Sequence, residues 1–406
     1  MKVAVTILNW NGKGFLEKFL PSLFNSLQQS KVEADLIIAD NASTDGSIEA
    51  YSNNPKIKWI QLDKNYGFTG GYNRAFDQIK KLTDYNYYVL INSDILVEEN
   101  WLEPLVDFME DHPEVAVCQP KILSYTRHLQ VIQVKQSQAQ QAKSSQEHQK
   151  TLVAEQFEYA GAAGGYIDKW GFPLCRGRIL SCVEDDLGQY DNPQRCFWAS
   201  GACMVVRSYV WHSLGGLEEK FFAHMEEIDF CWRVALSGYE VWCVPRSKVF
   251  HVGGGTLPNN SPRKLYLNYR NNLLMLYRNL PEKGKNTKIF LRKCIDGLSA
   301  VCYIFQCRFS YFKSVVKAHR DYSKLKKETA APKTAESNIS TQQENFSGQQ
   351  ESFISNNSEK GIAEHSKKSR TSLPYGMLPF SIIFKFFTGK KKYSQLDMCN
   401  NRISPT

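Results

Sequence analysis

Several things are missing from this 406-residue sequence, and each absence removes a class of protein. The 11 cysteines include no CxxC pair and no even spacing, and most lie in apolar runs such as Ala116-Val117-Cys118 and Val241-Trp242-Cys243. That excludes a disulfide framework and leads us to expect reduced, buried thiols in a cytosolic protein. No apolar run approaches the ~18 residues of a membrane span. The nearest, Leu298 to Phe305, is flanked by Asp296 and Gln306. Met1-Lys2 is followed by only six apolar or neutral residues before Asn9-Trp10-Asn11-Gly12, too few for a secretory signal. The glycine-rich stretch Asn65–Asn73 lacks the Lys-Ser/Thr ending of a phosphate loop, which disfavours an ATPase, and no solenoid repeat is present.

What is present is enough apolar material, 42% of residues, for one large domain or two smaller ones. The chain carries 50 basic against 41 acidic residues, a net +9, and the excess is local. Residues 261–328 hold 16 basic and 4 acidic side chains, a net +12, so everything else is net −3. An anionic partner is therefore expected at that segment, either a phosphate-bearing ligand or a lipid surface. With the charge confined there and no recognised module beside it, a nucleic-acid partner is not expected.

The first 120 residues alternate strand and helix signals, which predicts an α/β domain with a mainly parallel, Rossmann-like sheet flanked by helices. Strands are expected at Val3–Leu8, Asp35–Ala39, Lys58–Leu62, Tyr87–Ile91 and Val115–Cys118. Helical periodicity marks Phe15 to Leu27, Ala75 to Leu82 after a glycine-rich turn, residues 98–109, and about Glu226 to Ser237. Residues 1–260 read as the main α/β domain, interrupted by a Gln-rich surface insertion at 129–156. Residues 261–328 read as basic helices and 329–371 as a disordered linker. Residues 372–406 read as an amphipathic basic tail.

In such sheets ligands gather at the carboxyl ends of strands. Asp94, ending an apolar strand, either holds a hard divalent cation through oxygen or caps a turn, and the residues alone leave the two even. Asp40 ends another strand and is placed to accept the imide N–H of a uracil or thymine ring, whereas Asp45 and Ser47 read as caps and turn formers. Within His224-Met-Glu-Glu-Ile-Asp-Phe-Cys-Trp-Arg233, Asp229 and Arg233 lie one helical turn apart and form an intrahelical ion pair. Glu227 points away from that pair and is the candidate general base; a solvated first-turn acid is the alternative. His251, before Gly253-Gly-Gly255, is either a structural hydrogen-bonder or a partner of Asp94 in a metal shell.

The set Val5-Thr-Ile-Leu-Asn-Trp-Asn-Gly12, Ile38-Ala-Asp-Asn-Ala-Ser-Thr-Asp-Gly46, Asn65-Tyr-Gly-Phe-Thr-Gly-Gly-Tyr-Asn73, Asn92-Ser-Asp94, Phe197-Trp-Ala-Ser-Gly-Ala202 and Glu226-Glu-Ile-Asp-Phe-Cys-Trp-Arg233 resembles the family 2 inverting glycosyltransferases of the GT-A fold. The likeness is particularly to rhamnosyltransferase-like and galactofuranosyltransferase-like members, over residues 1–280 less the insertion. The resemblance implies donor binding by Asn9, Asp40, Asn65, Gly67, Phe68, Gly71, Asn73, Asn92 and Asp94. It implies a divalent metal (Mg or Mn) on Asp94 and His251, and an acceptor or phosphate loop at Trp198, Gly201 and Ala202. Glu227 would be the catalytic base, supported by Glu226, Asp229 and Arg233. Two positions depart from the family pattern: Asn92 stands for the first acid of the DxD-type motif, and Glu227 for an aspartate.

The implied reaction moves a sugar from a UDP- or dTDP-sugar donor, dTDP-rhamnose among the candidates, to a hydroxyl of a glycan or lipid-linked acceptor. The expected setting is cell-surface polysaccharide synthesis at the inner face of the cytoplasmic membrane. The alternative is a non-catalytic sugar-nucleotide-binding scaffold or sensor at the membrane.

Overall fold

The computed structural model describes residues 1–142, 153–253, 261–328 and 374–396. Among them, nine strands form one sheet: β1 (Lys2–Asn9), β2 (Glu33–Asp40), β3 (Lys58–Gln61), β4 (Tyr87–Ile91), β5 (Ile95–Val97), β6 (Val115–Ser124), β7 (Gln194–Cys196), β8 (Cys203–Arg207) and β9 (Glu240–His251). Their order is β7-β9-β6-β8-β4-β1-β2-β3, with β5 on the end of β9. The strands β1, β2, β3, β4, β6 and β9 run one way, and β5, β7 and β8 run against them. The expected mostly parallel α/β sheet is thus present. Its central strands are apolar on both faces, as a sheet covered by helices on each side requires.

Helices α1 (Lys13–Gln29), α2 (Gly67–Leu82), α3 (Glu103–Asp111) and α4 (Tyr125–Ala142) follow the early strands; α5 (Glu226–Leu236) precedes β9. On α1, Leu16, Phe19, Leu20 and Leu23 are buried at the expected three-to-four spacing. Two boundaries differ from expectation. Residues 95–97 form β5 rather than leading into a helix at 98, because they pair with the end of β9. The glycine-rich turn before Ala75 is itself helical from Gly67, since Gly70 and Gly71 leave room for Tyr66 and Leu8, whose side chains a Cβ would meet at 2.9 and 2.7 Å.

A second, five-stranded sheet is built from residues 165–183, and Met377–Leu378 adds to its edge, parallel to Gly165–Asp168. Ile382, Tyr393 and Leu396 are buried there, and Asp168 accepts the Ile382 amide. Part of the tail is therefore a structural strap. Helices α6 (Pro262–Asn279), α7 (Lys285–Phe305) and α8 (Phe309–Glu328) divide the basic segment. Several of its cations point inward, notably Arg270, Arg278 and Arg292, each hydrogen-bonded to buried groups. Of the Gln-rich stretch, residues up to 142 belong to α4; residues 143–152 lie outside the described residues, as do 329–373 and 397–406.

Candidate active site

The chain leaves β4 at Ile91, passes Asn92-Ser93-Asp94 and turns back as β5. Because β5 pairs with the last residues of β9, His251 lies opposite Ile95, and the Asp94 carbonyl accepts the Val252 amide. This pairing brings His251 Nε2 to 3.2 Å from Asp94 Oδ1 and 3.4 Å from Asn92 Nδ2. On the ring's other side, Nδ1 is 3.4 Å from Glu158 Oε2. Burial alone would lower the His251 pKa, but the Asp94 and Glu158 carboxylates outweigh it and push it up to about 10. Glu158 is held below the usual carboxylate range, against its burial, by His251 and by the Ala160 and Tyr159 amides.

Asp94 and His251 are the donors available to a metal, and no group of three or more His, Cys, Asp or Glu side chains suited to an ion occurs among the described residues. Two donors, one carboxylate and, once its Nε2 proton has left, one imidazole, fit a Mg²⁺ or Mn²⁺ ion that completes its shell with phosphate oxygens and water. They do not make a closed protein cage.

At the end of β2, Asp40 has no exposed surface. Its Oδ1 accepts Asn9 Nδ2 at 2.8 Å and its Oδ2 accepts the Ser43 amide at 2.8 Å. In this geometry Asp40 organises the loop after β2, and Asn9, also bonded to Ser43 and Ser47, is its buried partner. Asp45 caps the loop through the Lys13 and Ser47 amides.

The first turn of α2 is likewise spoken for. The Phe222 carbonyl accepts the Phe68 and Thr69 amides, and Asn65 accepts the Gly67 amide. Gly67, at φ +70°, is glycine because a Cβ would meet the Phe222 ring at 2.5 Å. Asn73 is committed to Leu217, donating to its carbonyl and accepting from its amide. These contacts tie residues 65 to 73 into the packing around Phe222 and Leu217. The packing that makes the glycines necessary also consumes the amides.

The loop 198–202 splits into two parts. The Trp198 side chain is buried, covers Gly165 and donates to the Tyr166 carbonyl, so it belongs to the second sheet's core and not to an open pocket. Gly201 and Ala202, by contrast, join the two halves of the site. The Ala202 carbonyl accepts the Asn92 amide, while a Cβ on Gly201 would meet the Phe68 ring at 3.1 Å and Glu227 Cβ at 3.8 Å.

Glu227 opens α5 just after a strained turn. Phe222, His224 and Met225 all have positive φ, at 65°, 72° and 73°, conformations that cost roughly 1–3 kcal/mol each for residues with a Cβ. The turn is held from α6, where Asn271 Nδ2 lies within hydrogen-bond distance of the Phe221, Ala223 and His224 carbonyls. Glu227 Oε2 and Glu226 Oε2 are buried without hydrogen-bond partners. Burial pushes Glu227 up to about 7, and burial together with the Glu227 charge pushes Glu226 well above the carboxylate range. His224 is lowered to about 4 by burial, with the Lys264 charge adding to the effect.

The expected pair Asp229–Arg233 forms at 3.0 Å and is larger than the sequence indicated. Asp229 also accepts Arg278 Nε at 3.0 Å and Asn279 Nδ2 at 2.7 Å, while Arg233 donates to the Leu214 and Gly216 carbonyls. Sequence reasoning missed Glu158, Asn271 and Arg278. Glu158 belongs to no motif; only the buried polar residues Asn271-Asn272 inside the apolar pattern of α6 offered a signal.

Over 244 residues the chain is 22% identical to the N-acetylglucosaminyl-diphospho-decaprenol L-rhamnosyltransferase of Mycobacterium tuberculosis strain H37Rv, covering 58% of this chain and 71% of that protein. It is also 22% identical over 287 residues to the low-salt glycan biosynthesis hexosyltransferase Agl10 of Haloferax volcanii, covering 70% and 80%. Among solved structures, GalNAc-T7 with UDP, GalNAc and Mn²⁺ superposes with a TM-score of 0.48 at 14% identity, over 68% of this chain. The chain spans about half of that protein, 48% of its length. The first two are named as a rhamnosyltransferase and a hexosyltransferase. Residues 4–160 match the sequence model of glycosyl transferase family 2, so that part of the chain is similar to the domain of this family.

Proposed function

We propose that the chain transfers a sugar from a UDP- or dTDP-linked donor to a hydroxyl of a glycan or lipid-linked acceptor, with inversion at the anomeric carbon. The observation that carries this reading is the Ser200–Ala202 turn. The Ala202 carbonyl accepts the Asn92 amide on one side, and on the other a Cβ on Gly201 would stand 3.8 Å from Glu227 Cβ, which supports a donor site and a base close to each other. Glu227 takes the proton from the acceptor hydroxyl as its oxygen bonds to the anomeric carbon and the bond from that carbon to the diphosphate breaks. A carboxylate with a pKa near 7 and an unpartnered oxygen is matched to that task. Asp94 and His251 would hold a Mg²⁺ or Mn²⁺ ion, which when bound offsets charge on the departing diphosphate. The two glycan-building relatives support the acceptor class.

The same reading places the protein at an anionic membrane. Among the described residues no helix is long and apolar enough to cross a bilayer. The α7–α8 corner nevertheless exposes Val301, Ile304, Phe305 and Phe309 beside Arg308 and Lys313, and Phe384 and Phe387 are exposed near Lys390, Lys391 and Lys392. Apolar side chains ringed by cations suit an anionic lipid surface, where each nearby cation contributes ~1 kcal/mol.

The test is a panel of nucleotide sugars with the purified chain, with Mn²⁺, Mg²⁺ or chelator. Metal-sensitive binding and slow hydrolysis of one donor, lost in Glu227→Gln, support the reading. Tight donor binding with no turnover on any acceptor points to the sensor or scaffold, and binding of no donor overturns the donor assignment. Co-sedimentation with anionic vesicles, weakened by Phe305→Ser together with Phe309→Ser, tests the membrane part.

A further inference from the structure

We propose that Glu158 is the positioning residue that holds the His251 imidazole with Nε2 turned toward Asp94. This rests on reading Asp94 and His251 as the cation-holding pair. An imidazole offers a ligand only one nitrogen at a time, and a carboxylate on Nδ1 leaves Nε2 free to point the other way. Here the two carboxylates flank the ring on opposite nitrogens, Asp94 at Nε2 and Glu158 at Nδ1. Both Glu158 and His251 are more than nine-tenths buried, so water does not readily replace the contact.

Glu158 is itself anchored. Its amide donates to the Ile122 carbonyl at 3.0 Å, and Ile122 on β6 pairs with Val249, two residues before His251 on β9. Its Oε2, the oxygen facing His251, also accepts the Ala160 amide. A Cβ on Gly253, at φ +75°, would stand 2.6 Å from Glu158 Oε1, so glycine just past His251 is what admits the carboxylate. The contact to Nδ1, at 3.4 Å, is longer than a full hydrogen bond in this conformation. With Asn92 in place of an acid, the site has one carboxylate and one imidazole, so ring orientation bears a larger share of cation affinity than in a site with more acids.

The experiment uses the full chain and four variants: E158A, E158Q, D94A and H251A. Mn²⁺ affinity is measured by calorimetry, the His251 Nδ1–H resonance by ¹⁵N-edited NMR on metal-free protein, and folding by circular dichroism. E158A is expected to weaken Mn²⁺ binding by ~10–100-fold, the range for a lost outer partner of a metal-binding histidine, and to lose the slowly exchanging Nδ1–H signal. E158Q keeps an acceptor oxygen but removes the charge that reaches Lys264, so it should retain the signal and bind within a few-fold of the native chain. Unchanged binding and an unchanged signal in folded E158A overturn the proposal, as does an equal loss in E158Q, which would make charge rather than position the cause. If D94A and H251A bind Mn²⁺ as tightly as the native chain, the metal reading fails, and the Nδ1–H signal alone decides for or against Glu158. Should E158A not fold, E158D, whose shorter arm draws the carboxylate away from Nδ1, serves in its place under the same criteria.

Discussion

Asp40 and Glu227 are both acids at an end of a secondary-structure element, yet their surroundings are opposite. Asp40, on the early half of the sheet, has each oxygen occupied, by Asn9 and by the Ser43 amide. Glu227, on the late half, keeps a buried oxygen with no partner and begins a helix after a turn with three positive-φ side-chain-bearing residues. A satisfied carboxylate shapes a loop, whereas an unsatisfied one in a desolvated place is poised to take a proton. The comparison assigns structure to Asp40 and chemistry to Glu227, and it can be broken at several points.

The largest expected effect is at Glu227. Replacing it with Gln should lower turnover by ~10²–10⁴-fold, the usual worth of a positioned general base, with donor affinity unchanged by calorimetry. Near-native turnover would remove the distinction between the two acids. Next, Asp229→Ala leaves Arg233 and Arg278 buried without their shared carboxylate and should cost ~3–5 kcal/mol in chemical denaturation. A smaller loss would show that α5 is held chiefly by its apolar neighbours. Asn271→Ala removes the donor shared by three carbonyls of the strained turn and should cost ~1–3 kcal/mol; kcat should fall more than KM changes if the turn aims Glu227.

Acidity sharpens the same contrast. A base must be deprotonated, and burial raises Glu227 to about 7. Hence kcat/KM should climb with pH, approaching tenfold per unit below about pH 7, and level off above it. A flat profile from pH 5 to 8 would mean that a group other than Glu227 accepts the proton. The last effect belongs to Asp40→Asn, which keeps one acceptor oxygen but turns an NH2 group toward a buried donor and should cost about 1–3 kcal/mol in stability with no change in turnover. Preference between uracil- and adenine-containing nucleotides should not change. A lost preference would place Asp40 against the base and contradict its buried geometry here.

Much of the early half was legible because its signals are local. The β-branched run Val3–Leu8 and the three-to-four spacing on α1 state their own conformation, and Asp229–Arg233 is one helical turn apart. The glycines at 67, 70 and 71 were harder. As a string they suggest an open loop, but their purpose is close packing of α2 against Phe222, Tyr66 and Leu8, which depends on parts of the chain that a local reading does not bring together. Trp198 misled for a similar reason, since its place in a motif says nothing about which sheet its ring covers.

By itself, the sequence determined the order of strands and helices, the α/β class and which acids end strands or begin helices, because side-chain alternation and helical period are read within a few residues. Tertiary structure decided which of those acids are spent and which are left over. Asn92 and His251 stand 159 positions apart and meet only because β5 turns back onto the end of β9. Glu158 reaches the same ring through Ile122, and Asn271 holds the turn before Glu227 from a helix that follows the whole sheet. Hydrogen-bond satisfaction and desolvation are properties of a place in the fold, so the roles of these residues appear only once the chain has closed around them.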